Sequence, residues 1–256
     1  MVSVVLVTYN HEAYLKEAIE SIIAQKTRFN FEIIISEDCS TDSTRDIVES
    51  YVSTYPKAIR ALYSKENLNT NEVTTRAIRA ARGKYIAFLD GDDYWTDPRK
   101  LQLQVRAMQQ DPELSITYHN ARQVDADGKD LGKLQVRPET FEVYDLRSML
   151  MCNPIPGASP LIRAKALQDI PAWFHDFDIG DWPLYLIAAQ HGLIQYLDRI
   201  MCVYRIHPKG YWQSVTAKDQ ARRVSLTYDK FAEVMPKEYE RHIRAWQRYW
   251  ERYPWW

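Results

Sequence analysis

Lys84-Tyr85-Ile86-Ala87-Phe88-Leu89-Asp90-Gly91-Asp92-Asp93 is the stretch on which the reading of this chain turns. Tyr85 to Leu89 is a short apolar run of aromatic and branched side chains, the pattern of a strand buried on both faces, and it ends abruptly in three carboxylates around a glycine. Carboxylates delivered into a turn suit a divalent cation bound to phosphate. Such ions take oxygen ligands, and magnesium- or manganese-type sites use one or two protein carboxylates plus substrate phosphates. The same residues would also serve as an acidic turn capping a helix that starts near Pro98, so the flanking sequence has to decide.

Upstream, Ser3 to Val7 reads as an apolar strand that stops at Thr8-Tyr9-Asn10, with Asn10 as N-cap of a helix striped by Tyr14/Leu15, Ala18/Ile19 and Ile22/Ile23. Phe31 to Ile35 is a second strand ending in Glu37-Asp38, followed by a helix carrying Ile47, Val48, Tyr51 and Val52. Ile59 to Tyr63 is a third strand, and Thr70 to Ala81 a third helix stopped by Gly83. Strand-helix repetition with short connections predicts a parallel, doubly wound sheet whose ligand crevice lies beyond the carboxyl ends of the strands. Thr8, Asp38 and Asp90 stand at those ends and are expected to converge in one cleft.

Downstream, Asp97-Pro98 looks like the N-cap and first residue of a helix through Leu101, Val105 and Met108; Ile116 to His119 is a further strand, and Asp125 to Gly128 a turn. From residue 129 onward Pro138, Pro154, Pro156 and Pro160 loosen the pattern into a mixed half. Asp178-Ile-Gly-Asp181-Trp182-Pro183 leads into a helix stopped at Gly192, and Ile194–Leu197 and Ile200–Arg205 read as two short strands joined by a tight turn. Residues 217–251 are helical, divided at Pro236. The expected organisation is one domain over 1–215, with a nucleotide-binding half at 1–120 and an acceptor half at 121–215, and a C-terminal helical extension over 216–256.

Composition narrows the function classes. With Lys+Arg 33 against Asp+Glu 34, the chain carries no nucleic-acid footprint. Cys39, Cys152 and Cys202 are odd in number and lack metal-ligand spacing, which fits a reducing compartment, and the strand beginning at Val2 leaves no room for a signal peptide. A cytoplasmic protein is expected. Tyr249, Trp250, Tyr253, Trp255 and Trp256, beside Arg248 and Arg252, make a tail suited to peripheral contact with a membrane face, to packing on the body, or to a homodimer contact.

Three segments in register, Val4-Val5-Leu6-Val7-Thr8-Tyr9-Asn10, Glu37-Asp38-Cys39-Ser40-Thr41-Asp42 and Gly83 to Asp93, resemble the N-terminal half of family 2 glycosyltransferases, over residues 2–105. The resemblance implies a GT-A-type fold (an α/β, Rossmann-like, doubly wound mixed sheet), an inverting mechanism, a nucleotide-diphosphate sugar donor such as a UDP-sugar, and Mn2+ or Mg2+. It places Thr8, Tyr9 and Asn10 at the nucleotide and Asp38 at the base. Asp90 falls at the ribose or the metal shell, Asp92 on the metal, and Asp93 on it more weakly. Tyr204-Arg205-Ile206-His207 resembles a segment of non-processive relatives in which Arg205 would lie near the diphosphate and His207 would touch metal or phosphate, against the alternative of a surface loop histidine. An inverting displacement needs a general base. Asp181 occupies the place where relatives carry a Glu-Asp pair, with Gly180 departing from the pattern, Asp178 as runner-up, and a plain helix N-cap as the bland reading of Asp181.

Ser159 and the aromatics Trp173, Trp182, Tyr211 and Trp212 are candidates for the acceptor pocket, with core packing the equal alternative for each aromatic. The implied activity is transfer of one sugar to a hydroxyl of a glycan or lipid-linked glycan acceptor in surface polysaccharide synthesis. The competing classes are a non-catalytic sugar-nucleotide-binding domain and a sugar nucleotidyltransferase. The latter would want a glycine-rich phosphate loop after the first strand, where Thr8-Tyr9-Asn10-His11-Glu12 has no glycine.

Overall fold

The computed structural model describes residues 1–136 and 143–252, so Pro138, Tyr253, Trp255 and Trp256 lie outside the described residues. Strand β1 (Val2–Thr8) is followed by α1 (Leu15–Ile23), β2 (Phe31–Glu37), α2 (Thr44–Thr54), β3 (Ile59–Tyr63), α3 (Glu72–Ala80) and β4 (Tyr85–Asp90). Then come β5 (Tyr94–Trp95), α4 (Lys100–Gln110), β6 (Leu114–Val124), β7 (Asp130–Leu134), β8 (Val143–Tyr144), α5 (Leu146–Met151) and β9 (Leu161–Arg163). The chain continues through α6 (Asp181–Ala189), β10 (Leu193–Arg205), α7 (Ala217–Val234) and α8 (Glu240–Arg252).

The sheet runs β3-β2-β1-β4-β9-β6-β10-β5, with β7 on β6 and β8 on β10. The first four strands are parallel, as the strand-helix alternation predicts. β9 is antiparallel to both β4 and β6, which turns the sheet into a mixed one at the point where the sequence pattern loosens. Successive side chains in a strand face opposite ways, and the two cores follow from that. Val4, Leu6, Tyr85, Ala87 and Leu89 pack with α1 and α4 on one face, while Val5, Ile86 and Phe88 pack with α3 and α6 on the other. Burial of each valine, leucine, isoleucine or phenylalanine side chain among them stabilises the fold by about 1.5–3 kcal/mol.

The C-terminal helices are built into the second of these cores. Tyr228 and Phe231 of α7 meet the Trp182 ring edge-on, with centroids 5.3 Å away in each case, and Ile243 of α8 is fully buried beside them. Of the tail, Trp246 and Trp250 pack against this core, Trp250 Nε1 donating to the Met151 carbonyl at 2.7 Å, whereas Tyr249 stays 45% exposed. No helix among the described residues is long and apolar enough to cross a membrane.

Several local expectations are corrected. Asn10 is not the N-cap of α1, which begins only at Leu15; Asn10 sits at φ 55°, a conformation asparagine tolerates, and its side-chain oxygen accepts from the Thr41 amide at 2.8 Å. Gly83 is not a left-handed helix stop. The chain leaves α3 in extended conformation at Ala81, and Gly83 runs against β1 so closely that a Cβ there would lie 2.5 Å from the Ser3 amide nitrogen. Helix α4 starts at Lys100, since Asp97 first closes a turn, its carboxylate accepting from the Arg99 amide at 2.8 Å. The two short strands expected at 194–205 are one strand, β10, whose register against β6 shifts between Leu197 and Cys202.

Candidate functional site

Parallel register brings the strand ends together. Val7 pairs with Asp90 and Thr8 with Glu37, so the exits of β1, β2 and β4 lie side by side. The Gly91 amide continues the ladder by donating to the Val7 carbonyl at 2.9 Å. A Cβ on Gly91 would lie 2.6 Å from Thr8 Oγ1 and 2.7 Å from His11 Nδ1, so only glycine lets the acidic turn close against β1.

The three carboxylates of that turn face different surroundings. Asp90 keeps solvent access, but burial among the surrounding walls, together with the charges of Asp92 and Asp181, raises its carboxyl to about 7. Burial, the largest single influence, pushes Asp92 up, but the His207 hydrogen bond, the charges of His11 and His207 and its own amide together pull it down further, so its net shift is downward. His207 Nε2 lies 3.0 Å from Asp92 Oδ2 and His11 Nε2 3.7 Å from the same oxygen. Asp93 departs from the expected role beside the metal: it is 3% exposed and turns inward, Oδ1 accepting from the Arg205 backbone amide at 2.8 Å. Burial, then the charges of Asp92 and Asp90, raise it well above the usual carboxylate range.

Arg205 is likewise a brace where a diphosphate contact is expected. It is 4% exposed, and protein acceptors occupy its guanidinium: Nε donates to the Asp92 carbonyl at 3.0 Å, one terminal nitrogen to the Ala126 carbonyl at 3.2 Å, and the other to Glu17 at 2.6 Å. The Tyr14 ring stacks below it at 4.6 Å. His207 is no surface loop histidine, being 5% exposed.

In the nucleotide half, Thr8 is fully buried and Tyr9 exposed. Asp38 is bound by its own surroundings, Oδ1 accepting from Ser64 Oγ at 2.7 Å and from the Leu68 amide at 3.0 Å, Oδ2 from Asn69 N at 3.3 Å. Glu37, fully buried, accepts from the Ser40 amide and pairs with Arg45, which shapes the loop after β2. Among the described residues, the non-glycine residues with positive φ, Asn10, Cys39 and Asn69, all lie in loops at this end of the sheet.

Asp181 opens α6 on the other wall. Asn153 Nδ2 donates to its Oδ2 at 2.9 Å, and the Trp182 amide to its Oδ1 at 2.7 Å. Burial raises its carboxyl against the pull of those donors. One short segment touches both walls: Asn153 holds Asp181, and further along it a Cβ built on Gly157 would lie 3.3 Å from Asp90 Oδ2. Asp178, the runner-up, offers its backbone carbonyl to Tyr211 Oη at 2.8 Å.

The acceptor-pocket candidates divide. Ser159 is fully buried and fastens a turn, Oγ donating to the Pro156 carbonyl at 2.7 Å, and Trp182 is core, with Nε1 on the Met149 carbonyl at 2.7 Å. Trp173 meets Phe177 edge-on at 5.6 Å, Trp212 packs partly buried on the same core, and Tyr211 is 52% exposed. Two shallow grooves elsewhere, one at Thr75, Arg79 and Leu167 and one at Arg106, Tyr196 and Arg199, contain none of the strand-end carboxylates.

A metal fits this donor set in one way only. Among the described residues no three His, Cys, Asp or Glu side chains form a ready-made cage. Asp92 with His207 beside it offers one carboxylate and one imidazole, a partial shell that outside oxygens would have to complete, as manganese-type ions accept from phosphates.

Sequence reasoning missed His11, Asn71 and Asn153. His11 had a signal, standing just beyond the end of β1 opposite the acidic turn; the two asparagines had none, because their partners are far away in sequence.

Residues 3–166 match the family described as Glycosyl transferase family 2. An uncharacterized protein of Mycobacterium tuberculosis is 36% identical over 215 residues, which cover 83% of this chain and 60% of that one, so the chain spans about three fifths of that relative's length. The putative teichuronic acid biosynthesis glycosyltransferase TuaG of Bacillus subtilis is 33% identical, covering 68% of this chain and 70% of its own. WfaP of Escherichia coli, named a UDP-Glc:alpha-D-GlcNAc-diphosphoundecaprenol beta-1,3-glucosyltransferase, is 28% identical over 81% of this chain and 78% of its own. Among solved structures, S. aureus TarS 1-349 in complex with UDP superposes with TM-score 0.66 at 20% identity, covering 96% of this chain and 69% of that one. The mannosyltransferase PcManGT of Pyrobaculum calidifontis, in complex with GDP-Man and Mn2+, does so with TM-score 0.66 at 18% identity, covering 99% and 70%. These two share the GT-A fold with the protein, and by its family match the chain belongs to glycosyl transferase family 2.

Proposed function

We propose that the protein is an inverting, metal-dependent glycosyltransferase that moves one sugar from a nucleotide-diphosphate sugar, a UDP-sugar by preference, to a hydroxyl of a glycan or lipid-linked glycan in surface polysaccharide assembly. The observation that supports this reading is the segment that touches Asp181 at one end and Asp90 at the other, bringing the Asp181 carboxylate opposite the acidic turn. The donor class follows the UDP and GDP-Man neighbours, and the acceptor class follows WfaP and TuaG.

In this reading Asp181, ionised and held by two N–H donors, takes the proton of the attacking hydroxyl on the face opposite the departing diphosphate. Asp92 and His207 would hold the divalent ion, which supplies neutralisation of the charge that accumulates on the leaving nucleotide diphosphate. Thr8 and Gly91 shape the floor on which the nucleotide lies, and Arg205 and Asp93 keep the acidic turn in place from behind.

The test is a thermal-shift screen of UDP- and GDP-sugars with and without manganese, because a ligand that binds only the folded state raises its melting temperature. Stabilisation by a nucleotide sugar that depends on manganese and disappears in Asp92→Ala is the expected result. The same stabilisation in Asp92→Ala would refute the metal assignment.

A further inference from the structure

We infer that Asn153 is a positioning residue: its side-chain amide fixes the Asp181 carboxylate on the wall facing Asp90 and occupies one of its oxygens purely as a donor, an inference that rests on Asp181 being the base.

The orientation of the amide is forced. Asn153 Oδ1 accepts from the Ile155 backbone amide at 3.0 Å, a partner that can only donate, so Nδ2 must be the atom facing Asp181 Oδ2 at 2.9 Å. The other carboxylate oxygen receives the Trp182 amide at 2.7 Å. Both groups are N–H donors without a lone pair to accept a carboxyl proton, so the pair of them favours the ionised carboxylate. One lone pair on each oxygen is left for an incoming hydroxyl.

The frame around the pair is rigid. Trp182 Nε1 is anchored on the Met149 carbonyl at 2.7 Å, and Tyr228 Oη on the Met151 carbonyl at 2.5 Å, so the head of α6, the middle of α7 and the chain leading into Asn153 are tied to the same end of α5. Three other titratable groups feel the Asp181 charge: Asp90 at the end of β4, Tyr185 one turn further along α6, and Tyr211 in the segment after His207. None of them donates a hydrogen bond to it among the described residues. Asn153 is therefore the side chain whose removal frees one carboxylate oxygen without touching the acidic turn.

The test reads Asp181 directly and requires no acceptor. The full chain is labelled with aspartate carrying 13C in its carboxyl group, and the Asp181 signal is assigned by its absence from Asp181→Asn. Its titration is then followed in the parent, in Asn153→Ala and in Asn153→Asp. The expected midpoint moves up by about one pH unit in Asn153→Ala, and further in Asn153→Asp, where a like charge replaces the donor. Calorimetric affinity for UDP-N-acetylglucosamine with manganese stays within twofold of the parent. An unmoved midpoint in natively folded variants overturns the inference, because a residue that merely supports the fold would lower the melting temperature and leave the titration in place. Should Asn153→Ala not fold, Asn153→Asp, which has the same shape, carries the test. Transfer that survives in Asp181→Asn would defeat the base assignment, while the titration would still report whether Asn153 grips Asp181.

Discussion

The two carboxylate walls of the cleft are built by different means. Asp90 and Asp92 are placed chiefly by backbone: a buried strand, a parallel ladder and a glycine that admits close approach set where they go, and Arg205 and His207 brace the turn once it is there. Asp181 is held by a side chain reaching across the molecule, Asn153 from after α5, and the segment leading to it by another, Asn71 from the start of α3. A ladder is dictated by a few neighbouring residues and tolerates change elsewhere in the chain. A wall held by long-range side-chain contacts can be loosened from many positions.

The largest effects expected are on transfer, and they separate the walls. Asp181→Asn keeps shape and donor binding but removes the proposed proton acceptor, so turnover with a competent acceptor is expected to fall about 10²–10⁴-fold while nucleotide-sugar affinity is retained. Asp92→Ala removes the carboxylate expected at the diphosphate, so turnover falls about 10²–10³-fold and donor affinity falls with it. Steady-state kinetics with calorimetry of the donor distinguishes the two. Equal loss of donor affinity in both variants would mean that the walls do not divide the work.

The same contrast explains what could be read before the structure was known. The first wall was legible because strand ends in a parallel sheet share one edge, so Thr8, Asp38 and Asp90 could be brought together from periodicity alone. The roles of Arg205 and Asp93 were not legible. Both types suggest a ligand, and only the packing shows that Arg205 spends its guanidinium on Glu17 and on backbone carbonyls, and that Asp93 serves the Arg205 amide. Position was legible for Asp181, at the head of a helix, but not its support. Nothing near residues 153 or 71 in the sequence announces a partner at 181 or 174–177.

A second prediction probes the segment joining the walls from beneath. Lys100 is fully buried, its ammonium 2.9 Å from Gln104 Oε1 and 4.1 Å from the centre of the Trp95 ring, and Gln104 Nε2 donates to the Ser159 carbonyl at 2.9 Å, at the end of the turn that follows Asn153. Burial lowers the amine from 10.5 to about 7. Between those values the unfolded chain holds a proton that the folded one has released, so stability rises with pH from about 7 to 10.5 and is lowest, and flat, below that window. Lys100→Met should remove this slope, which amounts to at most about 5 kcal/mol. The variant is expected to be more stable than the parent at pH 6, with the advantage shrinking by pH 10. Parallel pH dependences of chemical denaturation in parent and variant would show that Lys100 does not titrate in this window.

The smallest effect is the most specific to the side-chain wall. Gly180 stands where the family resemblance leads one to expect an acidic residue, and a Cβ there would collide with Asn71 Oδ1. Asn71 cannot simply swing away, because its Nδ2 donates to the Phe174 and Phe177 carbonyls, both at 2.9 Å, and so holds the segment that leads to Asp181. Gly180→Ala therefore forces either the asparagine or the head of α6 to move, at a cost of about 1–3 kcal/mol. Asn71→Ala alone loses the two hydrogen bonds, at a cost of about 1–3 kcal/mol. Combined, the two changes should cost about 1 kcal/mol less than their sum, since removing the asparagine side chain also removes the obstacle to the new methyl group. Strict additivity in denaturant titrations would mean that the asparagine does not confine Gly180.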